Sequence, residues 1–327
     1  MELNAPLHIH WEITNKCNFN CIQCYQQNDK VRDNLSDRDL MNIAKKIVDA
    51  GVFQVSVSGG EPFLVRNIVE ILTYLTENNV DLVVCSNGSY LQDEHIDVMK
   101  NYKIPIQISL DSSFEEKNNK IRGNEQAFSL AISCIKKLIN NNIEVSLAFC
   151  ATKYNYLDIE GVTELCFKLG IQRLVIGEVL PVYGGFNYEN LLFEEETYAE
   201  FLRRIKILQE KYSNIDIFVN SEWGFLYSDI CGHAPCTALD RDFAILHNGY
   251  VTPCPFIRNP NYFLGNLLKM DVSTIWKKGK ETAFYKAKHL GCSDKCKYYI
   301  SCLGGCKAQL ANTNGQIERK DPRCPLQ

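Results

Sequence analysis

Six short runs of apolar, often β-branched residues, each followed by a stretch with helical periodicity, constrain this chain more than any single motif does. Residues 7–14 open the series. Ser36-Asp37-Arg38-Asp39 then reads as a helix capping box, and Leu40, Ile43, Ala44 and Ile47 form an apolar stripe that Gly51 ends. Phe53, Val55 and Val57 alternate as a strand. The stripe Ile68, Ile71, Leu72, Leu75 leads to a strand over 81–85, and a short helix near 93–99 precedes a strand over 105–110. Ala127, Leu130, Ala131, Cys134 and Leu138 share one helical face before the alternating run Ile143, Val145, Leu147, Phe149. Residues 156–169 read as a helix closed by Gly170, and 171–177 as the sixth strand. This repetition predicts an α/β fold with a parallel sheet and right-handed crossovers.

Three classes of function fall away on composition. A formal net charge of −4 gives no basic field for nucleic acid. No apolar run approaches a membrane span, and the first residues carry no secretion signal. Fifteen cysteines without such a signal point to a reducing cytoplasm, where thiols serve as ligands rather than as disulfides. At 327 residues, 46% hydrophobic and 23% charged, the chain can bury one large domain and a smaller one. Cys85, Cys134, Cys150 and Cys166 stand singly within strand or helix patterns and read as core.

The other cysteines are grouped. Cys17, Cys21 and Cys24 follow the first strand with C-x3-C-x2-C spacing on a polar loop. Three crowded thiolates suit a soft metal or an iron–sulfur cluster, whereas a structural zinc site would close with a fourth ligand, and none follows nearby. Polar groups gather after the next strands: Gly59-Gly60-Glu61-Pro62, Ser86-Asn87-Gly88, Ser109 with Asp111, and Arg122-Gly123. Paired glycines let backbone approach a ligand, a carboxylate accepts from an ammonium, and a guanidinium suits a carboxylate. The same residue types also build ordinary turns and solvated surface. Toward the C-terminus come Cys231, Cys236 and Cys254, then Cys292-x3-Cys296-x5-Cys302-x3-Cys306 and Cys324. Between them Asn248-Gly249-Tyr250 reads as a hairpin turn. Zinc ribbons are the rival reading of this segment.

The three-cysteine loop followed by Tyr25, together with Gly59-Gly60-Glu61-Pro62, resembles the signature of the radical S-adenosylmethionine (SAM) superfamily. The resemblance implies a [4Fe–4S] cluster on Cys17, Cys21 and Cys24, with SAM on the fourth iron. It also implies SAM contacts from Tyr25, Gly59, Gly60, Glu61 and Pro62, ribose contacts from Ser86, Asn87, Ser109 and Asp111, and Arg122 on the SAM carboxylate. The fold it implies is a curved partial (βα)6 barrel, with chemistry at the C-terminal strand ends. The cysteine-rich end, with Leu264-Gly265-Asn266 and Ile275-Trp276, resembles the SPASM extension of these enzymes, which holds auxiliary [4Fe–4S] clusters. By that resemblance Cys236, Cys254 and Cys306 hold the nearer cluster, with Cys231 as a fourth ligand or, without it, an open iron. Cys292, Cys296, Cys302 and Cys324 hold the outer one. Three residues rather than the usual two separate Cys292 from Cys296. The expected domains are residues 1–190, a connecting helix and strand over 191–230 that act as a hinge, and 231–327.

The activity implied is reductive cleavage of SAM to a 5′-deoxyadenosyl radical that takes a hydrogen from the substrate. The first expectation is a ribosomally made peptide, altered by crosslinking, epimerisation or decarboxylation. Alternatives are a tetrapyrrole or aminoglycoside, sulfatase maturation, or a non-catalytic iron–sulfur electron carrier. Flavodoxin- or ferredoxin-type proteins are the implied electron donors. Sixteen residues precede Cys17, which leaves no room there for a fused peptide-recognition domain, so a separate recognition protein or direct binding of the substrate is expected for a leader-bearing peptide. Sulfatase maturases carry an aspartate base directly after the cysteine matching Cys254. Here the residue is Pro255, which cannot take a proton, and Asp240, Asp242 and Glu222 are the other acids of that segment.

Overall fold

A computed structural model describes residues 3–26, 35–181, 190–220, 236–287 and 304–313, with positions 296, 302, 315 and 317. Its six expected strands are present: β1 (His8–Thr14), β2 (Gln54–Gly59), β3 (Asp81–Ser86), β4 (Ile106–Ser109), β5 (Val145–Ala151) and β6 (Arg173–Glu178). Each pairs in parallel with the next. The helices between them are α1 (Asp37–Asp49), α2 (Ile68–Glu77), α3 (Asp93–Tyr102), α4 (Glu115–Arg122), α5 (Ala127–Asn140) and α6 (Ile159–Leu169). The Ser36 cap forms as read: its hydroxyl accepts from the Asp39 N–H while the Asp39 carboxylate accepts from Ser36 N–H. Leu40, Ile43, Ala44 and Ile47 are buried against the sheet.

The sheet extends beyond the expected six strands. Helix α7 (Glu195–Lys211) buries Phe201, Ile205 and Leu208 as its stripe predicts, and β7 (Asp216–Asn220) pairs in parallel with β6. Within the segment expected to be a hinge, α7 and β7 thus add a seventh helix–strand unit to the same sheet, with Ile217 and Val219 buried at alternate positions as in the other parallel strands. At the opposite edge β8 (Asp242–Ile245) pairs in parallel with β1 and carries the antiparallel β9 (Tyr250–Thr252) and β10 (Gly265–Asn266). The full order is β10-β9-β8-β1-β2-β3-β4-β5-β6-β7. Side chains from β1, β6, β7 and β8 nevertheless line one cavity. Only a strongly curved sheet brings strands so far apart in this order around the same space, which gives the partial barrel.

Along the first six strands side chains alternate between a face buried beneath the helices and one inside the curve, where most are half-buried. On β1, Ile9, Trp11 and Ile13 pack outward, while His8, His10, Glu12 and Thr14 face in. Helix α8 (Val272–Glu281) closes the far side with Ile275 and Trp276 fully buried, and the Trp276 indole N–H donates to the Leu3 carbonyl at 2.9 Å. No helix among the described residues is long and apolar enough to cross a membrane.

Candidate active site

The cysteine loop leaves β1 and is held from two sides by tight backbone contact. A Cβ on Gly60 would lie 2.1 Å from the Lys16 carbonyl oxygen, and one on Gly59 2.3 Å from that of Thr14. The paired glycines therefore let β2 meet the base of the cysteine loop, with Gly60 N–H donating to Thr14 O at 2.7 Å and Glu61 N–H to Lys16 O at 2.8 Å. On the opposite side α4, absent from the sequence reading, ends in a left-handed Gly123 whose Cβ would stand 2.2 Å from Asn20 O. The Ile22 N–H donates to Ile121 O at 2.9 Å.

Glu61 is wholly buried, and both of its oxygens are engaged by protein. Oε1 accepts from the Ser86 hydroxyl at 2.9 Å and from Phe63 N–H at 3.3 Å, and Oε2 accepts from Asn87 N–H at 2.8 Å. Its carboxylate thus ties β2 to the loop after β3. Burial lifts its pKa from 4.5 to about 7 against those bonds. Asn87, so fixed, reaches the cysteine loop: its Nδ2 donates to Asn18 Oδ1 at 3.0 Å and lies 3.8 Å from Cys17 Sγ.

Asp111 is a second hub. Its Oδ2 accepts from Gln23 Nε2 at 2.7 Å and Arg122 Nη1 at 3.0 Å, and its Oδ1 accepts from Cys150 N–H at 2.9 Å. Asn118 and Asn155 bind its backbone. A short turn with one acidic residue offers no sequence signal for this convergence, since the partners lie on four different segments. Ser109 stands half-buried at the end of β4, on the same inward face as Gln107.

Around the three thiols several buried polar atoms lack a protein partner: Gln23 Oε1, both amide atoms of Gln26, and Arg122 Nε. Gln26 N–H also bonds to the Cys24 sulfur. Burial pushes Cys21 up to about 12 against the pull of Arg122, with Cys24, Asp111 and Cys17 adding to the rise, and it raises Cys17 and Cys24 as well. Crowded thiols graded from buried Cys21 through half-buried Cys24 to exposed Cys17 become thiolates on a metal centre that supplies positive charge. The donor set and the polar atoms beside it fit a cluster with a polar ligand. Tyr25 is half-buried next to them, edge-on to Phe256 at 5.7 Å, with Arg258 4.8 Å over its ring and Glu12 bonded to its hydroxyl.

Arg258 and Glu12 were not singled out by sequence. Arg258, 6% exposed, pairs through Nη2 with the fully buried Glu12 Oε1, 246 residues away. This ion pair joins the C-terminal segment to β1 just below the cysteine loop.

Two cavities meet above the inward face. The first, about 300 Å3, lies between the cysteine loop (Gln23, Tyr25), the ends of β5 and β6 (Ala148, Cys150, Gly177, Glu178) and Phe256. Cys150 is therefore no core residue: its half-buried thiol faces this cavity, as Cys85 faces the interior beside Gln107, whereas Cys134 and Cys166 are buried as read. The second cavity, about 370 Å3, shares Gly177, Glu178, Leu180, Asn220 and Phe256 with the first and is lined by Cys236, Cys254 and Cys306. Those are the three thiols that the resemblance assigns to the nearer auxiliary cluster. Pro255 and the buried Lys307 stand beside them. Cys302 is half-buried against the core, and Cys296 is also half-buried. Cys231, Cys292, Cys324 and Glu222 lie outside the described residues.

A parallel-sheet partial barrel with a three-thiol loop at its C-terminal strand ends and a second thiol set across a shared cavity defines a cluster-bearing radical enzyme. The chain belongs to the radical SAM superfamily: that family's profile matches residues 11–168, and a profile for an iron–sulfur cluster-binding domain (SPASM) matches residues 236–303. It is 25% identical to the antilisterial bacteriocin subtilosin biosynthesis protein AlbA of Bacillus subtilis, over 96% of this chain and 70% of AlbA. It is 26% identical to the sporulation killing factor maturation protein SkfB of the same organism, over 98% of this chain and 72% of SkfB. In fold it is similar to the crystal structure of Streptococcus suis SuiB bound to SAM, with a TM-score of 0.81 at 19% identity over 99% of this chain and 78% of SuiB. The protein is thus an enzyme that uses SAM and [4Fe–4S] clusters. These cofactors supply a 5′-deoxyadenosyl radical that abstracts hydrogen from the substrate.

Proposed function

We propose that the protein matures a ribosomally made peptide, and that the reacting residue of that peptide sits in the 300 Å3 cavity. The observation that carries this reading is the position of that cavity. It touches the SAM-side loop through Gln23 and Tyr25, and it touches the auxiliary-thiol cavity through Glu178 and Phe256. A substrate carbon held there lies between a source of radical and an outlet for an electron. AlbA and SkfB, named for a bacteriocin and a killing factor, support a peptide as the substrate.

The chain's own residues would do the following. Cys17, Cys21 and Cys24 hold the SAM-side cluster, and Gln23, Gln26 and Arg122 offer SAM their unpartnered atoms. Tyr25, Phe256 and Leu180 form the apolar wall that keeps water from a radical. Cys150, whose thiol burial holds protonated, and Glu178 are the reactive side chains of the opposite wall. Cys236, Cys254 and Cys306 hold the nearer auxiliary cluster, with Cys231 as a fourth ligand; Cys292, Cys296, Cys302 and Cys324 hold the outer one. A flavodoxin- or ferredoxin-type donor and a separate peptide-recognition protein complete the reading, in the cytoplasm. Functional units at 1–190 and 231–327 remain part of it, joined through β1 and β8.

The test is anaerobic incubation of the reconstituted protein with SAM, dithionite and synthetic peptides spelled by short reading frames beside its gene. A peptide mass change with matching 5′-deoxyadenosine is expected. Unchanged peptides, with a porphyrin or amino sugar converted instead, would overturn it.

A further inference from the structure

The inward face of β1 carries a third set of ligand atoms that neither thiol group uses. His8 and His10, two residues apart, point to the same side, and the pairing of β1 with β8 sets Asp242 directly opposite His8. One ligand atom from each of the three lies within 4.8 Å of the other two. The imidazoles meet edge to face with centroids 4.3 Å apart. Two of the three are fixed from outside: His8 Nε2 is 2.8 Å from Ser56 Oγ, and the Thr237 hydroxyl donates to the Asp242 carboxylate. Contacts of that kind orient ligating side chains in metal sites. Burial lowers both imidazoles from 6.5 to about 4, and at His8 the neighbouring His10 adds to the fall while Asp242 opposes it. His10 and Asp242 also line the 370 Å3 cavity, which leaves room for water on the open side of the group.

Two imidazoles and a carboxylate with open positions form the donor set of a mononuclear first-row metal. We propose that His8, His10 and Asp242 bind one divalent transition-metal ion, separate from the clusters, that pins β1 of the SAM-side sheet to β8 of the auxiliary segment. The ion completes a cross-link that the ladder between these strands begins.

Manganese(II) is the suitable probe, because a carboxylate with water in open positions suits it while thiolates select softer ions. The cluster-reconstituted protein is titrated anaerobically with Mn2+, following loss of the free-ion electron paramagnetic resonance (EPR) signal, and the bound ion is then read by spin-echo modulation. Expected are one bound equivalent with imidazole nitrogen modulation, and its loss in His10→Ala and Asp242→Asn with iron and sulfide contents unchanged. No binding, binding without nitrogen modulation, or an equivalent that survives both substitutions would overturn the site. Where a substitution also costs cluster content, the nitrogen modulation of the unaltered protein decides the matter alone.

Discussion

Cys17, Cys21 and Cys24 lie within eight residues of chain, while Cys236, Cys254 and Cys306 come from separate stretches and converge only around a cavity. The first set is local, and the fold's work there is to clamp a loop: Gly60 from below, Asn87 from β3 and Gly123 from α4 all press on it. The second set is assembled by the sheet itself, since β8 and β9 extend the same hydrogen-bond ladder past β1. A short motif can therefore specify one cluster site outright, whereas the other depends on β1 and β8 staying in register.

The largest expected effect breaks the join between the two regions. Arg258→Ala leaves the Glu12 carboxylate buried without its ion-pair partner and removes the cation over Tyr25, a loss of about 3–5 kcal/mol. Denaturant unfolding of the cluster-loaded protein measures it, and Glu12→Gln with Arg258→Met should recover much of the loss. A loss below about 1 kcal/mol would mean the regions are joined elsewhere.

Next comes the clamp. Because burial raises Glu61 to about 7 from 4.5, the folded chain keeps a proton that the unfolded chain releases. Its contribution therefore falls as pH rises from about 4.5 to about 7 and is constant above, a span of about 3 kcal/mol. The stability difference between Glu61→Gln and the unaltered protein should shift in the variant's favour across that window. A difference flat with pH would show that the carboxylate is ionised throughout.

Asn87→Ala is milder. It removes the bond to Asn18 and the contact with Cys17, costing about 1 kcal/mol and altering the EPR signal of the SAM-side cluster while sparing the auxiliary ones. A change confined to the auxiliary signals would contradict the geometry. The smallest effect is none at all. With Pro255 beside Cys254 in the auxiliary cavity, a sulfatase-type Cys-x-Pro-x-Arg peptide should stay unchanged by mass spectrometry under turnover conditions. Its conversion to formylglycine would require another base, and Asp242 or Glu178 would then be the ones to substitute.

Legibility followed the same division. The capping box at Ser36, the strand–helix alternation and the cysteine loop are local patterns, and each appears where the sequence puts it. Glu12 reads only as a polar residue in a strand, because its partner Arg258 is remote in sequence. Helix α4 was missed because Ile121 is its one buried apolar residue, so no stripe marks it. Glu61, Ser86 and Asp111 were correctly gathered at the strand ends, yet their acceptors and donors face one another, a choice that depends on side-chain direction. Cys150 and Cys166 look alike in sequence, but one faces the cavity and the other a helix-packed core.

The central claim is that two thiol sets with different tasks flank one reaction cavity. Two triple variants, Cys17, Cys21 and Cys24 to Ala and Cys236, Cys254 and Cys306 to Ala, test it through 5′-deoxyadenosine formed under dithionite and through iron content. The first should form no deoxyadenosine while keeping the auxiliary iron. The second should still cleave SAM while losing iron and peptide product. Deoxyadenosine persisting in the first variant, or vanishing from both alike, would contradict the account.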